Sequence, residues 1–72
     1  DLAAREYERL LIERPADLDL AEQAARWHLE AGQLDAARDL LRYARRVDPA
    51  AAETRRIARL VAEAERGVDA SP

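Results

Sequence analysis

The chain has 72 residues, 17 of them alanine, and sets 12 arginines and no lysine against 15 acids for a net charge of −3. So short a chain buries only about 60% of its unfolded surface, and only ten Leu, two Ile, three Val, one Trp and two Tyr can fill space, too little to wall off a catalytic cleft. The lack of cysteine removes disulfides and thiolate metal sites, the dispersed arginines lack the footprint of a nucleic-acid binder, and no apolar run approaches the ~18 residues needed to cross a bilayer.

Pro15, Gly32 and Pro49 divide the chain, and the segments between them are rich in Ala, Leu, Glu and Arg, which favour helix. Four helices are predicted, near 2–14, 18–31, 35–47 and 51–66, with no period-2 alternation of a strand. The first carries Leu2, Leu10, Leu11 and Ile12 on a side that has no evident cover. In the second, at ~100° per residue, Leu20, Ala21, Ala24, Ala25, Trp27, His28 and Ala31 share an apolar arc. The opposite arc holds Asp19, Glu22, Gln23, Arg26, Leu29 and Glu30, with Glu22 and Arg26 spaced to pair at i,i+4. The third helix must stop before Pro49, which biases Asp48 away from helix, and Arg45 and Arg46 suit its C-terminus. The fourth has a narrow stripe of Thr54, Ile57, Leu60, Val61 and Ala64, backed by Arg55, Arg56, Arg59, Glu63 and Arg66. Residues 67–72, GVDASP, read as a flexible tail.

Sliding the chain along itself until Asp35 meets Asp1 also brings Ala37 onto Ala3, Pro49 onto Pro15, Ala50 onto Ala16 and Ala58 onto Ala24. A helix–turn–helix unit recurring at this interval of about 34 residues resembles the tetratricopeptide repeat. Residues 18–51 are similar to one complete repeat: Ala25 takes the small residue at the helix crossing, Gly32 the turn, Ala37 and Ala44 the small residues of the second helix, Leu41 the large apolar slot and Pro49 the close. Residues 1–17 resemble the second helix of a partial repeat, with Ala3, Tyr7, Leu10 and Pro15 in the matching places, and residues 52–66 a terminal or capping helix. The sequence departs from the family where Ala21, Ala24 and His28 replace the usual tryptophan, leucine and tyrosine of the first helix. The resemblance implies an all-α domain over 1–66, antiparallel helix pairs stacked as a short right-handed solenoid of four helices.

His28, the only histidine, is expected to be a buried residue with one hydrogen bond rather than a metal or catalytic group, because no second His or Cys exists to complete a site. Thr54 and Ser71 have no nearby base in sequence, and the pairs Glu6/Glu8 and Glu63/Glu65 point to different helix faces. No catalytic, cofactor-binding or metal-binding residues are expected. The resemblance implies instead a non-enzymatic scaffold for protein–protein interaction, binding a peptide or partner helix on its concave face, with no nucleic-acid partner and no membrane insertion. The matching groove positions are Asp19, Glu22, Gln23, Arg26, Leu29 and Glu30, continued by Arg56, Leu60 and Glu63. The alternative is a structural spacer or self-association module, pairing through the open N-terminal end. A start at Asp1 reads as a piece of a longer protein, and arginine in place of lysine fits a GC-rich bacterial gene.

Overall fold

The computed structural model describes residues 2–69 and places four α-helices there, with no strand among them. They are α1 (Leu2–Glu13), α2 (Leu18–Glu30), α3 (Leu34–Val47) and α4 (Ala52–Asp69). Helices α1 and α3 end at Glu13 and Val47, and α2 and α4 begin at Leu18 and Ala52. Both pairs of boundaries are separated by the same interval that relates Pro15 to Pro49. Helix α4 continues through Gly67 to Asp69, so the tail expected from residue 67 does not begin there. An exposed glycine costs a helix only about 1 kcal/mol, which need not end one. Residues 70–72 of that expected tail, and the side chains of Leu2 and Ala3, lie outside the described residues.

Each helix boundary has a local cause. Asp17 caps α2, its carboxylate accepting from the Leu20 amide at 3.1 Å. At the other end the chain reverses at Gly32, whose φ of +76° few other residues adopt. The Gly32 amide donates to the Leu29 carbonyl at 3.1 Å and the Gln33 amide to the His28 carbonyl at 2.8 Å, which is the paired closure of a Schellman turn. Gln33 is tied back a second time, because His28 Nδ1 lies 2.6 Å from its side-chain Oε1. Asp48, before Pro49, is extended (φ −161°, ψ 98°), and α3 ends on it. The buried Thr54 hydroxyl of α4 lies 2.7 Å from the Asp48 carbonyl oxygen and 3.3 Å from that of Ala44, supplying a donor to the end of α3.

Helix α2 is the centre of the fold. It packs on each of the other three helices, α4 packs on α2 and α3, and α1 packs on α2 alone. The core joins Ala21, Ala25, Ala37, Leu41, Ala44, Ile57 and Val61, with Leu11, Leu18, Leu29, Leu34, Leu40 and Tyr43 packed around it. The expected stripe of α4 holds at Thr54, Ile57 and Val61, while Leu60 and Ala64 are half-buried. On α2 the expected apolar arc is buried except for Trp27, half-buried with its ring against His28, and Ala31, which is exposed at the C-cap. Of the first helix's uncovered side, Leu10 and Leu11 are half-buried and Ile12 is 80% exposed.

Leu41→Ala, at a buried position in the middle of this cluster, should cost ~2–5 kcal/mol in a urea titration followed by far-UV CD. Gly32→Ala should cost about 1–2 kcal/mol from backbone strain alone, since nothing lies within 4 Å of an added Cβ. Gly32→Asn should recover much of that loss by the same measurement, asparagine being the residue that best tolerates this conformation after glycine.

Candidate functional site

Helices α2 and α4 begin one repeat interval apart and run in contact, so equivalent positions come side by side. The fifth residue of each is charged: Glu22 on α2 and Arg56 on α4. Arg56 donates from Nε to both carboxylate oxygens of Glu22 at 3.0 Å and approaches within 2.9 Å through Nη2. Arg26, one turn along α2, donates to the same carboxylate at 2.9 Å. The Glu22 side chain is only 11% exposed, because both guanidinium groups lie over it. Glu22 thus lies on the arc opposite the apolar one and yet is closed off from solvent. It is a buried anion shared by two arginines, one of them from another helix.

Beside this cluster, Arg26, Leu29, Glu30 and Leu60 line a shallow depression of about 360 Å³. Its two leucines are half-buried and its two charged residues exposed. Of the nine residues expected to form a groove, the structure thus gathers Glu22, Arg26 and Arg56 in the ion cluster and Leu29, Glu30 and Leu60 with Arg26 in the depression. Asp19, Gln23 and Glu63 are exposed and line neither. The i,i+4 pair of Glu22 and Arg26 forms as its spacing suggests. The Arg56 contact was not anticipated, although opposite charges one repeat interval apart are the signal that would have found it.

A second concavity, of about 370 Å³, lies between α1, α2 and α3. Tyr7 and Leu11 of α1, Ala24 and His28 of α2, and Leu40 and Tyr43 of α3 form much of its wall, and Ile12 adds an exposed apolar side chain. The Tyr43 hydroxyl is buried there without a hydrogen-bond partner among the described residues. Its apolar lining separates this pocket in character from the charged surface on α2 and α4. Among the described residues no group of three or more His, Asp or Glu side chains is placed to hold a metal ion, and no helix is long and apolar enough to cross a membrane.

Comparison with family models, curated proteins and solved structures returned no match. The site therefore has to be read from its own chemistry.

The Arg56 hydrogen bond, with Arg26 adding to it, holds the Glu22 carboxyl below its ordinary value against the opposing effect of burial. A carboxylate stabilised in this way contributes stability above its unfolded value, and the contribution disappears as pH falls through the lowered folded value. Thermal melts from pH 7 down through the carboxylate range should therefore show a loss of stability that Glu22→Gln largely abolishes. At neutral pH that substitution should itself cost ~1–2 kcal/mol, the arginines keeping one weaker acceptor.

Proposed function

We propose that this chain is a helical-repeat scaffold of tetratricopeptide type that binds a peptide or partner helix across α2 and α4. The observation that carries the reading is the surface on which half-buried Leu29 and Leu60 lie between the exposed charges of Arg26 and Glu30. An apolar anchor would lodge against the leucines, and the flanking charges of both signs would orient it. The Arg26–Glu22–Arg56 cluster keeps the two helices in register beneath the ligand. The regular recurrence of helix ends, the turn at Gly32 and the small residues Ala25, Ala37 and Ala44 in the core support the repeat assignment, with the helix pairs stacked as a right-handed solenoid. The role is non-enzymatic, its ligand a protein or peptide rather than a nucleic acid.

A spacer or self-association role is the second reading, favoured by the exposed Ile12 beside the apolar pocket at the N-terminal end. Affinity capture on the immobilised chain, followed by titration of fragments of whatever is retained, separates the two. The binding reading expects a ligand whose affinity drops about tenfold or more on Glu30→Arg with Leu60→Asp, while far-UV CD shows both proteins folded. Undiminished affinity in that variant, or no ligand at all, would sink it. Sedimentation equilibrium addresses the alternative: a stable dimer that Ile12→Asp converts to monomer would favour self-association.

A further inference from the structure

The two helix pairs present equivalent grooves, and among the described residues a helix lies beside the first and none beside the second. The shift that carries Pro15 to Pro49 also carries Tyr7 to Leu41, Glu8 to Arg42, Leu11 to Arg45, Ala24 to Ala58 and His28 to Ala62. Apart from the prolines, the first members of these pairs all line the concavity between α1 and α2, and the second members all line one between α3 and α4, of about 420 Å³. Alongside the first groove runs α3, which walls it with Ala36, Leu40 and Tyr43 at the i, i+4 and i+7 spacing of a helix face. No described helix runs alongside the second. Its floor is nonetheless apolar, formed by buried Leu41 and Val61 with Ala58 and Ala62 half-buried beside them.

What changes between the two grooves is charge. Glu8 becomes Arg42 and Leu11 becomes Arg45, with Arg38 on the same α3 wall. On α4, Arg55, Arg59 and Arg66 fall within one helical turn of Ala58 and Ala62. Arg38 is engaged by Glu65 and Asp35, and Arg42 by Asp39. Arg45, Arg55, Arg59 and Arg66 have no ion-pair partner among the described residues. The chain as a whole is acidic, but residues 34–69 hold eight arginines against seven acids, whereas residues 1–33 hold four against eight. The fold thus gathers onto one flank of α4 a basic field that is diluted in the sequence.

We propose that the α3–α4 groove binds an acidic amphipathic helix of another protein. The equivalent groove specifies a helix as the occupant, and the arginine rim specifies the sign of its charge. An apolar ridge with the spacing of Ala36, Leu40 and Tyr43 would lie on Leu41, Ala58, Val61 and Ala62. Glutamates or aspartates on both sides would meet the free guanidinium groups, which accept a carboxylate in a bidentate pair. A nucleic acid fits less well, because no aromatic side chain lines this groove to stack on bases and its floor is apolar. This surface lies on the opposite flank of α4 from Leu60 and is independent of the binding proposed across α2 and α4.

Fluorescence anisotropy tests it with a labelled peptide carrying Ala, Leu and Tyr at that spacing and glutamates on both flanks, beside the same peptide with lysines for glutamates. The glutamate peptide should bind at least about tenfold more tightly than its lysine counterpart, and raised salt should weaken it. Arg45→Glu with Arg59→Glu should reduce its affinity about tenfold or more, while Arg5→Glu with Arg14→Glu, an equal change of net charge on and beside α1, should alter it by less than about twofold. Far-UV CD first establishes that all proteins are folded. Equal losses in the two double variants, equal binding of the lysine peptide, or binding of a DNA oligonucleotide without binding of the glutamate peptide would each overturn the proposal.

Discussion

The fold depends on backbones approaching closely through alanine. Ala21 and Ala25 on α2 and Ala37 and Ala44 on α3 are fully buried in the same cluster. A methyl group contributes little hydrophobic area, at ~25 cal/mol per Å², so these contacts stabilise mainly by letting neighbouring side chains and main chains touch. Among the described residues Ile57 is the only large side chain buried completely, and the molecule is 13 Å across its thinnest direction. A core this thin has little tolerance for added volume. A larger residue at any of the four alanines would have to separate two helices, at a typical cost of about 1–3 kcal/mol.

Register between helices then falls to the polar groups. The Glu22 carboxylate receives hydrogen bonds from two arginines and ties α2 to α4, while Thr54 ties α4 back to the end of α3. Arginine suits the first task because its planar fork can engage both carboxylate oxygens at once, as Arg56 does. Arg38 of α3 likewise reaches Glu65 of α4 at 2.7 Å, whereas the pairs of Arg9 with Glu6 and Arg42 with Asp39 join residues three apart on single helices. They add little to tertiary structure. Arginine therefore has three separate uses here: cross-helix ties at Arg56 and Arg38, local helix support at Arg9 and Arg42, and, along Arg45, Arg55, Arg59 and Arg66, an electrostatic surface without ion-pair partners among the described residues.

Helix type and most helix ends were legible in the sequence because they are decided locally. Pro49 acts on its own neighbour Asp48, Gly32 supplies its own backbone freedom, and segments rich in alanine, leucine, glutamate and arginine favour helix. His28 as a buried, singly hydrogen-bonded group was legible for the same reason, with Gln33 only five residues away. The candidate site was legible only in part. A wheel drawn on α2 alone puts Glu22 opposite the apolar arc, and nothing within α2 reveals that Arg56 will close over it. Asp19, Gln23 and Glu63, matched to a groove by resemblance, are exposed but do not line the depression, whose extent depends on how α2 and α4 cross. The pocket at Tyr43 needed three helices at once. The end of α4 escaped because a single glycine costs a helix only about 1 kcal/mol and need not end it.

Helix α1 has a different standing from the rest. It packs on α2 alone, and none of its described side chains is buried. The α2–α3 hairpin is closed locally by the double tie at Gly32 and Gln33, and α4 fastens onto both of its arms. Cooperativity in this chain is therefore graded along its length. Amides of α1 should exchange with solvent through a low-energy detachment that leaves the other three helices standing, whereas those at the centres of α2 and α3 should await global unfolding. Detaching α1 would also remove one wall of the Tyr43 pocket, so the N-terminal end of the molecule is a latent surface whose exposure is set by an equilibrium within the native state.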